Sequence, residues 1–183
     1  MRPVTKLLIT IISGFYLAAL LVPGLEEHLF LIRKAILSDG QIHGVAVGEY
    51  WRIVTVVLTH GGITHLFFNM YALLILGNTV EGALGRNRFL AIFFISAIFA
   101  SFFSLYFNPE NQPSVGASGA IFGLFGAMVV ISKRYGFETR QIYVIIGINF
   151  ALGFILPGID WHAHLGGLIA GAISAAVLSP ARR

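Results

Sequence analysis

The sequence predicts an all-α membrane protein, a single domain of six spanning helices over residues 1–183. Three observations predict it: an apolar composition, six windows long enough to cross a bilayer, and basic residues gathered mostly on one side. Of the 183 residues, 57% are hydrophobic and only 11% charged, and mean hydropathy is +0.84. A water-soluble domain of this length cannot hide so much apolar surface, so lipid is part of its solvent.

A helix needs about 20 apolar residues to cross the hydrocarbon. The first window is Val4–Val22, and its apolar segment, Leu7 to Val22, follows Arg2 and Lys6 and has the look of a secretory signal. No small-x-small cleavage site precedes a soluble domain, and further apolar windows follow, so it reads as a retained first span. Residues 24–62 form the one long connection. It carries Glu26, Glu27, Asp39 and Glu49, and then a semi-apolar stretch, Tyr50-Trp51-Arg52-Ile53-Val54, expected to be partly helical and interfacial. The remaining windows are Ile63–Leu84, Phe89–Phe107, Val115–Ser132, Ile142–Leu156 and Trp161–Leu178. Pro157-Gly158-Ile159-Asp160 separates the last two, and its Pro-Gly pair is a turn signal.

Orientation follows from the positive-inside rule. With the N-terminus in the cytoplasm, the inner segments hold Arg2, Lys6, Arg86, Arg88, Lys133, Arg134, Arg140, Arg182 and Arg183, nine of the twelve basic residues. The outer side keeps Arg33, Lys34 and Arg52, all in the long loop with most of the acids. Both termini are therefore expected inside. The scattered net charge of +4 contains no basic run for nucleic acid, and the absence of cysteine removes disulfides, thiolate metal sites and a thiol nucleophile.

Polar groups inside spans are costly and face the bundle interior or a water-filled cavity. In this topology the second, fourth and sixth spans all begin at the outer face. His65 and Asn69 lie in the first two turns of the second, Ser118 about one turn into the fourth, and His162 and His164 at the start of the sixth. Each is within roughly 10 Å of the outer surface at 1.5 Å rise per residue. All six histidines, including His28, His43 and His60, fall on the outer side.

His65 and Asn69 are i,i+4 and share a helix face. Gly116, Gly119, Gly123 and Gly126 are expected to share another, and Gly167 and Gly171 form a GxxxG step. Small residues let membrane helices approach closely. The fourth and sixth spans, packed through glycine faces, would bring Ser118 and a histidine within hydrogen-bond reach, the arrangement of an activated serine nucleophile. No acid lies inside either span to orient the base, so catalysis here would use a Ser–His dyad rather than a triad. His65, Asn69 and the Ser118 backbone N–H would suit an oxyanion hole.

Each piece has a plainer reading. Gly-x-Ser-Gly also serves helix packing, and an interfacial histidine also serves as a polar anchor. His60, His65, His162 and His164 together, with Asp160 beside them, would also suit a metal ion, although no His-Glu-x-x-His is present. Trp161 and Tyr50-Trp51 suit the aromatic belt, and Arg52 suits a loop anchor. A non-catalytic binding protein or a metal or solute transporter would use the same pocket. A transporter, however, places polar groups through the midplane, and here only Asn149 and Ser101 lie deeper.

The pieces in combination resemble the rhomboid family of intramembrane serine proteases. They are Tyr50-Trp51-Arg52, the run from His60 through His65 to Asn69, Gly116-Ala-Ser118-Gly119, and Ala163-His164-Leu-Gly166-Gly167 continuing to Gly171. The resemblance covers about residues 45–180 and the basic six-span form, without a seventh span or soluble appendage. It implies Ser118 as nucleophile, His164 as general base, and His65 and Asn69 as the oxyanion-stabilising pair. Gly116 and Gly119 flank the nucleophile, and Trp51 and Arg52 match a structural loop motif. His162 falls outside the matching position. Where some relatives carry a tyrosine stacked on the catalytic histidine, this chain has Phe122, which can stack but cannot donate a hydrogen bond. The implied activity is endoproteolysis of other proteins' transmembrane segments near the outer face, with no cofactor and no metal. The expected setting is a prokaryotic inner or plasma membrane.

Overall fold

A computed structural model of the chain describes residues 1–135, 140–155 and 158–179. The end of the fifth window at Leu156, Pro157 of the turn, and Arg182 and Arg183 of the inner basic set lie outside the described residues. Among the described residues the chain forms eight α-helices: α1 Pro3–Leu21, α2 Leu25–Leu29, α3 Arg52–Thr55, α4 Ile63–Leu84, α5 Arg86–Phe107, α6 Ser118–Tyr135, α7 Arg140–Ile155 and α8 Trp161–Leu178. All six apolar windows fold as helices. α1, α4, α5 and α8 are long and apolar enough to cross a membrane, and α6 and α7 are shorter apolar helices.

The outward faces carry large apolar side chains with no protein over them, among them Leu17, Phe67, Phe102, Ile148 and Ile173. The inward faces combine large apolar side chains such as Leu73, Phe89, Phe93 and Leu124 with glycine, alanine and serine where helices approach most closely. Lipid supplies no hydrophobic drive between helices, so close backbone packing does that work. α6 and α8 are in backbone contact: a Cβ on Gly167 would overlap the Gly119 carbonyl, one on Gly171 the Gly123 carbonyl, and one on Gly126 the Leu168 carbonyl. α5 closes against the same pair through Ala100 and Ser96, which leave no room for a Cβ on Gly119 or Gly123. The three helices therefore form a tight central group.

α1 is held by a different device. Glu81, buried on α4, accepts from the backbone N–H groups of Val4 and Thr5 at 3.2 and 2.8 Å and from the Thr5 hydroxyl at 2.8 Å. A carboxylate at the open N–H groups of a helix start satisfies donors that have no partner within the helix and complements the dipole. Gly77 admits the contact, since its Cβ would come within 2.9 Å of Thr5. Between α4 and α5 the chain reverses at the single residue Gly85, whose φ of +81° favours glycine.

The long connection is more structured than the sequence pattern anticipates. Besides α2 and α3 it holds a two-stranded antiparallel ribbon, β1 Ala35–Ile36 with β2 Ile42–His43. Asp39-Gly40 lies in its turn, with φ +78° at the glycine, a recognisable hairpin signal in the sequence. The semi-apolar stretch after Glu49 is helical in α3.

Candidate active site

The nucleophile candidate sits at the very start of its helix. The sequence pattern expected Ser118 about one turn in; α6 instead begins at Ser118. Gly116 is the cause. It takes φ +109° and sends its N–H to the Val56 carbonyl at 3.1 Å, so the chain enters the helix from an extended loop. Gly116 consequently leaves the glycine face assigned to it. It lies under His65, whose Cε1 would be 2.8 Å from a Cβ at that position. The His65 ring thus covers the backbone two residues before Ser118.

α8 brings the second partner. Its first turn carries His164, buried, with the Phe122 ring stacked on the imidazole at 4.0 Å between centroids and 6° between planes. Phe122 is one turn after Ser118 on α6, and Ser118 and Ala163 line one cavity. The backbone contact of α6 with α8 sets this register. His164 Nδ1 is buried without a hydrogen-bond partner, and no hydrogen bond joins Ser118 to His164 among the described residues. Such bonds commonly tighten only when substrate is bound.

Asn69 stands one turn below His65 on α4 and donates from Nδ2 to the His65 carbonyl at 2.9 Å. Its Oδ1 is buried without a partner. The cavity beside Ser118 is about 10 Å³ and is lined by Val56, Ala100, Ser101, Ser114, Gly116 and Gly119 among others. That is the lower limit for one water molecule.

His162 does not join this group. Its Nδ1 is 2.7 Å from Asn108 Oδ1, and its ring stacks on Phe107 at 5.4 Å and meets Trp161 at 3.7 Å. It fastens the start of α8 to the end of α5. No three His, Asp or Glu side chains converge as metal ligands would among the described residues. Of the two deeper polar residues, Ser101 donates to the Ile53 carbonyl of α3 at 2.8 Å and Asn149 to its own helix.

His60 is buried just before α4, 5.2 Å from the His65 ring, with both ring nitrogens unpartnered among the described residues. Burial first, and the His65 ring second, push its pKa down to about 4, so it is neutral at pH 7. Its unfolded value is near 6.5, so between pH 6.5 and 4 the unfolded chain binds the extra proton. Stability contributed by neutral His60 is therefore present above pH 6.5 and lost as pH falls through 4, up to about 3 kcal/mol. Thermal unfolding in detergent across this range should show the loss. His60→Phe should flatten the curve there, and an unchanged slope would remove the assignment.

The long connection that carries His60 is fixed by Arg52, which is fully buried. Its Nε donates to Glu49 Oε2 at 2.7 Å, and its Nη1 to the carbonyls of Glu27 and Phe30 at 2.6 and 2.8 Å. Burial alone would raise the Glu49 pKa, but hydrogen bonds from His43, Arg52 and the Gly44 N–H outweigh it and hold it at about 2. Hydrogen bonds to Glu49 and Asp39 raise the His43 pKa in turn. Trp51 Nε1 donates to the His28 carbonyl at 3.0 Å. Both residues of the loop motif thus fasten chain to chain.

Asp160, weighed from the sequence only as a neighbour of the histidines, caps α8 by accepting from the Ala163 N–H at 3.0 Å. An Asp immediately before an apolar helical run is a recognisable N-cap signal.

A multi-pass membrane bundle with a serine, two histidines and an asparagine gathered at one end defines the class of protein. Residues 47–181 match the rhomboid domain family. The chain is 45% identical over 139 residues to the rhomboid protease GluP of Bacillus subtilis, covering 73% of this chain and 27% of that protein. It is 37% identical over 133 residues to the putative rhomboid protease YdcA of the same organism, covering 70% and 67%. It is also 38% identical over 128 residues to inactive RHOMBOID-like protein 8 of Arabidopsis thaliana, covering 66% and 36%. This chain belongs to the rhomboid family.

Proposed function

We propose that the chain is an intramembrane serine endopeptidase that cuts transmembrane segments of other membrane proteins near the outer face. The observation that carries this reading is the pairing across the α6–α8 contact. Phe122, one turn after Ser118, lies flat on His164, and Ser118 and Ala163 share a cavity. The same reading takes all six apolar helices as spans, with both termini in the cytoplasm of a bacterial cell and the site facing outward, as the basic residues imply.

Ser118 Oγ attacks the scissile carbonyl carbon while His164 accepts the hydroxyl proton. The carbonyl π electrons move to oxygen, and this oxyanion is met by the Ser118 N–H at the open start of α6, by Asn69 and by His65. The carbon–nitrogen bond then breaks and His164 returns its proton to the leaving amine. Water attacks the acyl-enzyme by the same route, releasing a carboxylate and free Ser118. Phe122 holds the imidazole plane by stacking, and the glycines around Ser118 leave space for a substrate backbone.

An intact substrate helix hides its peptide bonds, and a cavity of about 10 Å³ admits no helix. The segment therefore unwinds locally and α4 or α7, the second or fifth span, yields to admit it; helix-weakening residues near the cut favour cleavage. The test is purified protein in liposomes with a single-span test substrate, together with labelling by a fluorophosphonate. Cleavage and labelling should survive His162→Ala and vanish in His164→Ala. The reverse pattern would transfer the base to His162. A wild-type Ser118 inert to both substrate and reagent would replace the enzyme with a membrane binding protein.

A further inference from the structure

A half-buried carboxylate lies one helical turn from the proposed base. Asp160 is the N-cap of α8, and its two oxygens differ. Oδ1 accepts from the Ala163 N–H at 3.0 Å, and Oδ2 is buried with no directed hydrogen bond among the described residues. Burial alone would raise its pKa. The Ser104 hydroxyl, the Ala163 N–H, the Asn108 amide and the Ser114 hydroxyl outweigh burial and hold it below the usual carboxylate range. It is therefore a charged group at pH 7, half-buried among two hydroxyls, an amide and a backbone N–H.

His164 follows, and its N–H donates to the Asp160 carbonyl at 3.2 Å. Asp160 itself has a non-helical backbone, φ −82° and ψ 81°, and turns its carboxylate to the Ala163 N–H, so the charge sits at the first turn of α8, the turn that carries His164. His164 Nδ1 is also buried and unpartnered. Other groups around the pair are few. α4 presents His65. α5 presents Ser104 and Asn108, and the loop before α6 presents Ser114. α6 presents the Phe122 ring, with Phe150 of α7 behind it. His162 is turned to Asn108. Asp160 is the one anion among these, and no arginine or lysine neutralises it.

We propose that Asp160 is a positioning residue for His164, its pinned carboxylate stabilising the imidazolium that exists while His164 holds the Ser118 proton. This rests on the reading of Ser118 and His164 as nucleophile and base. In the first step the Ser118 oxygen bonds to carbon, the proton moves to imidazole, and one negative charge appears on the substrate oxygen. The positive charge created on His164 faces Asp160, which remains ionised throughout and takes no proton. The dyad is thereby given the field that a triad carboxylate supplies, from the helix cap rather than by direct hydrogen bond.

Asp160→Asn isolates the charge. Asparagine is as good an N-cap as aspartate and its Oδ1 can still accept from Ala163. Histidine-labelled protein in micelles, with the His164 resonances assigned by His164→Gln, gives the imidazole midpoint without any turnover. In Asp160→Asn that midpoint should fall by about one pH unit. The acid limb of kcat/KM should move down with it, kcat should fall about fivefold at the plateau with KM unchanged, and the thermal midpoint should stay put. Asp160→Ser, also a neutral cap, should behave alike and serves if the asparagine variant folds poorly. An unmoved His164 midpoint and unchanged kcat in both neutral caps, with only Asp160→Ala losing stability, would reduce Asp160 to a cap and overturn the proposal. Wild type that neither cleaves nor labels would instead overturn the protease reading, and the imidazole titration would still decide whether Asp160 acts on His164.

Discussion

Ser118→Ala should abolish cleavage while leaving the folded protein almost unchanged. In the proposed mechanism the hydroxyl is the group that bonds to the substrate carbonyl carbon, and no other side chain around the cavity replaces it. Its neighbours are Ala100, Gly116, Gly119, Ala120 and Ala163, with Ser101 and Ser114 farther around the lining. Ser101 already spends its hydroxyl on the Ile53 carbonyl. Loss of a serine nucleophile costs on the order of 10⁴-fold or more in kcat. Stability should move by no more than about 0.5 kcal/mol. Ser118 Oγ makes no hydrogen bond among the described residues, and alanine is a better helix former. The check is product from a single-span substrate in liposomes beside the thermal midpoint of each protein. Residual cleavage at the wild-type rate would dismiss Ser118 as nucleophile. Loss of cleavage with a collapsed midpoint would mean the serine holds the fold instead.

Gly171→Ala should have the largest effect on stability. The added methyl would overlap the carbonyl oxygen, carbonyl carbon and Cα of Gly123. These are backbone atoms of another helix, so no rotamer change relieves them and α6 and α8 must part. Overpacking of this kind costs about 3 kcal/mol. The separation also moves His164 relative to Ser118, because both lie at the outer end of the same contact, so activity should fall with stability. Gly14→Ala on α1 is the control. Nothing lies within 4 Å of its would-be Cβ, and alanine should stabilise that helix by up to about 1 kcal/mol. Thermal unfolding of the two variants in one detergent tests the pair. A Gly171→Ala protein as stable and active as wild type would show that the helices can shift without consequence.

Much of this architecture was readable in one dimension. The six apolar windows became helices because a 20-residue apolar run has one way to satisfy its backbone in lipid. The α4 window, Ile63–Leu84, and the α8 window, Trp161–Leu178, match the helices end to end. The glycine steps at Gly119, Gly123, Gly167 and Gly171 pointed to close helix contact, and these are the residues that touch. Gly116 belonged to the same spacing and went elsewhere. Spacing alone does not reveal that its N–H is claimed by Val56, sixty positions earlier in the chain.

Other features depend on groups that meet only in three dimensions. Glu81 lies within the Ile63–Leu84 window, and its partners, the N–H groups of Val4 and Thr5 at the start of α1, are more than seventy positions earlier. His162 and His164 are equal candidates by depth alone, and only the family resemblance favoured His164; in the structure one ring turns to Asn108 and Phe107 and the other is pressed flat against Phe122. Asp160 carried an N-cap signal directly before the sixth span, but local sequence does not show that Oδ2 is enclosed at the end of that helix.

The sequence by itself determined that the chain lives in lipid, where its helices run, and which few polar side chains lie near one face. Those follow from transfer free energies and helix period, which are local properties. The tertiary structure decided which histidine meets the serine's helix, where that helix begins, and which carboxylate lies next to the base. Those depend on backbone approach between segments far apart in the chain. No local rule sets that approach; it is fixed by whether two glycine faces and the side chains around them can occupy the same few ångströms.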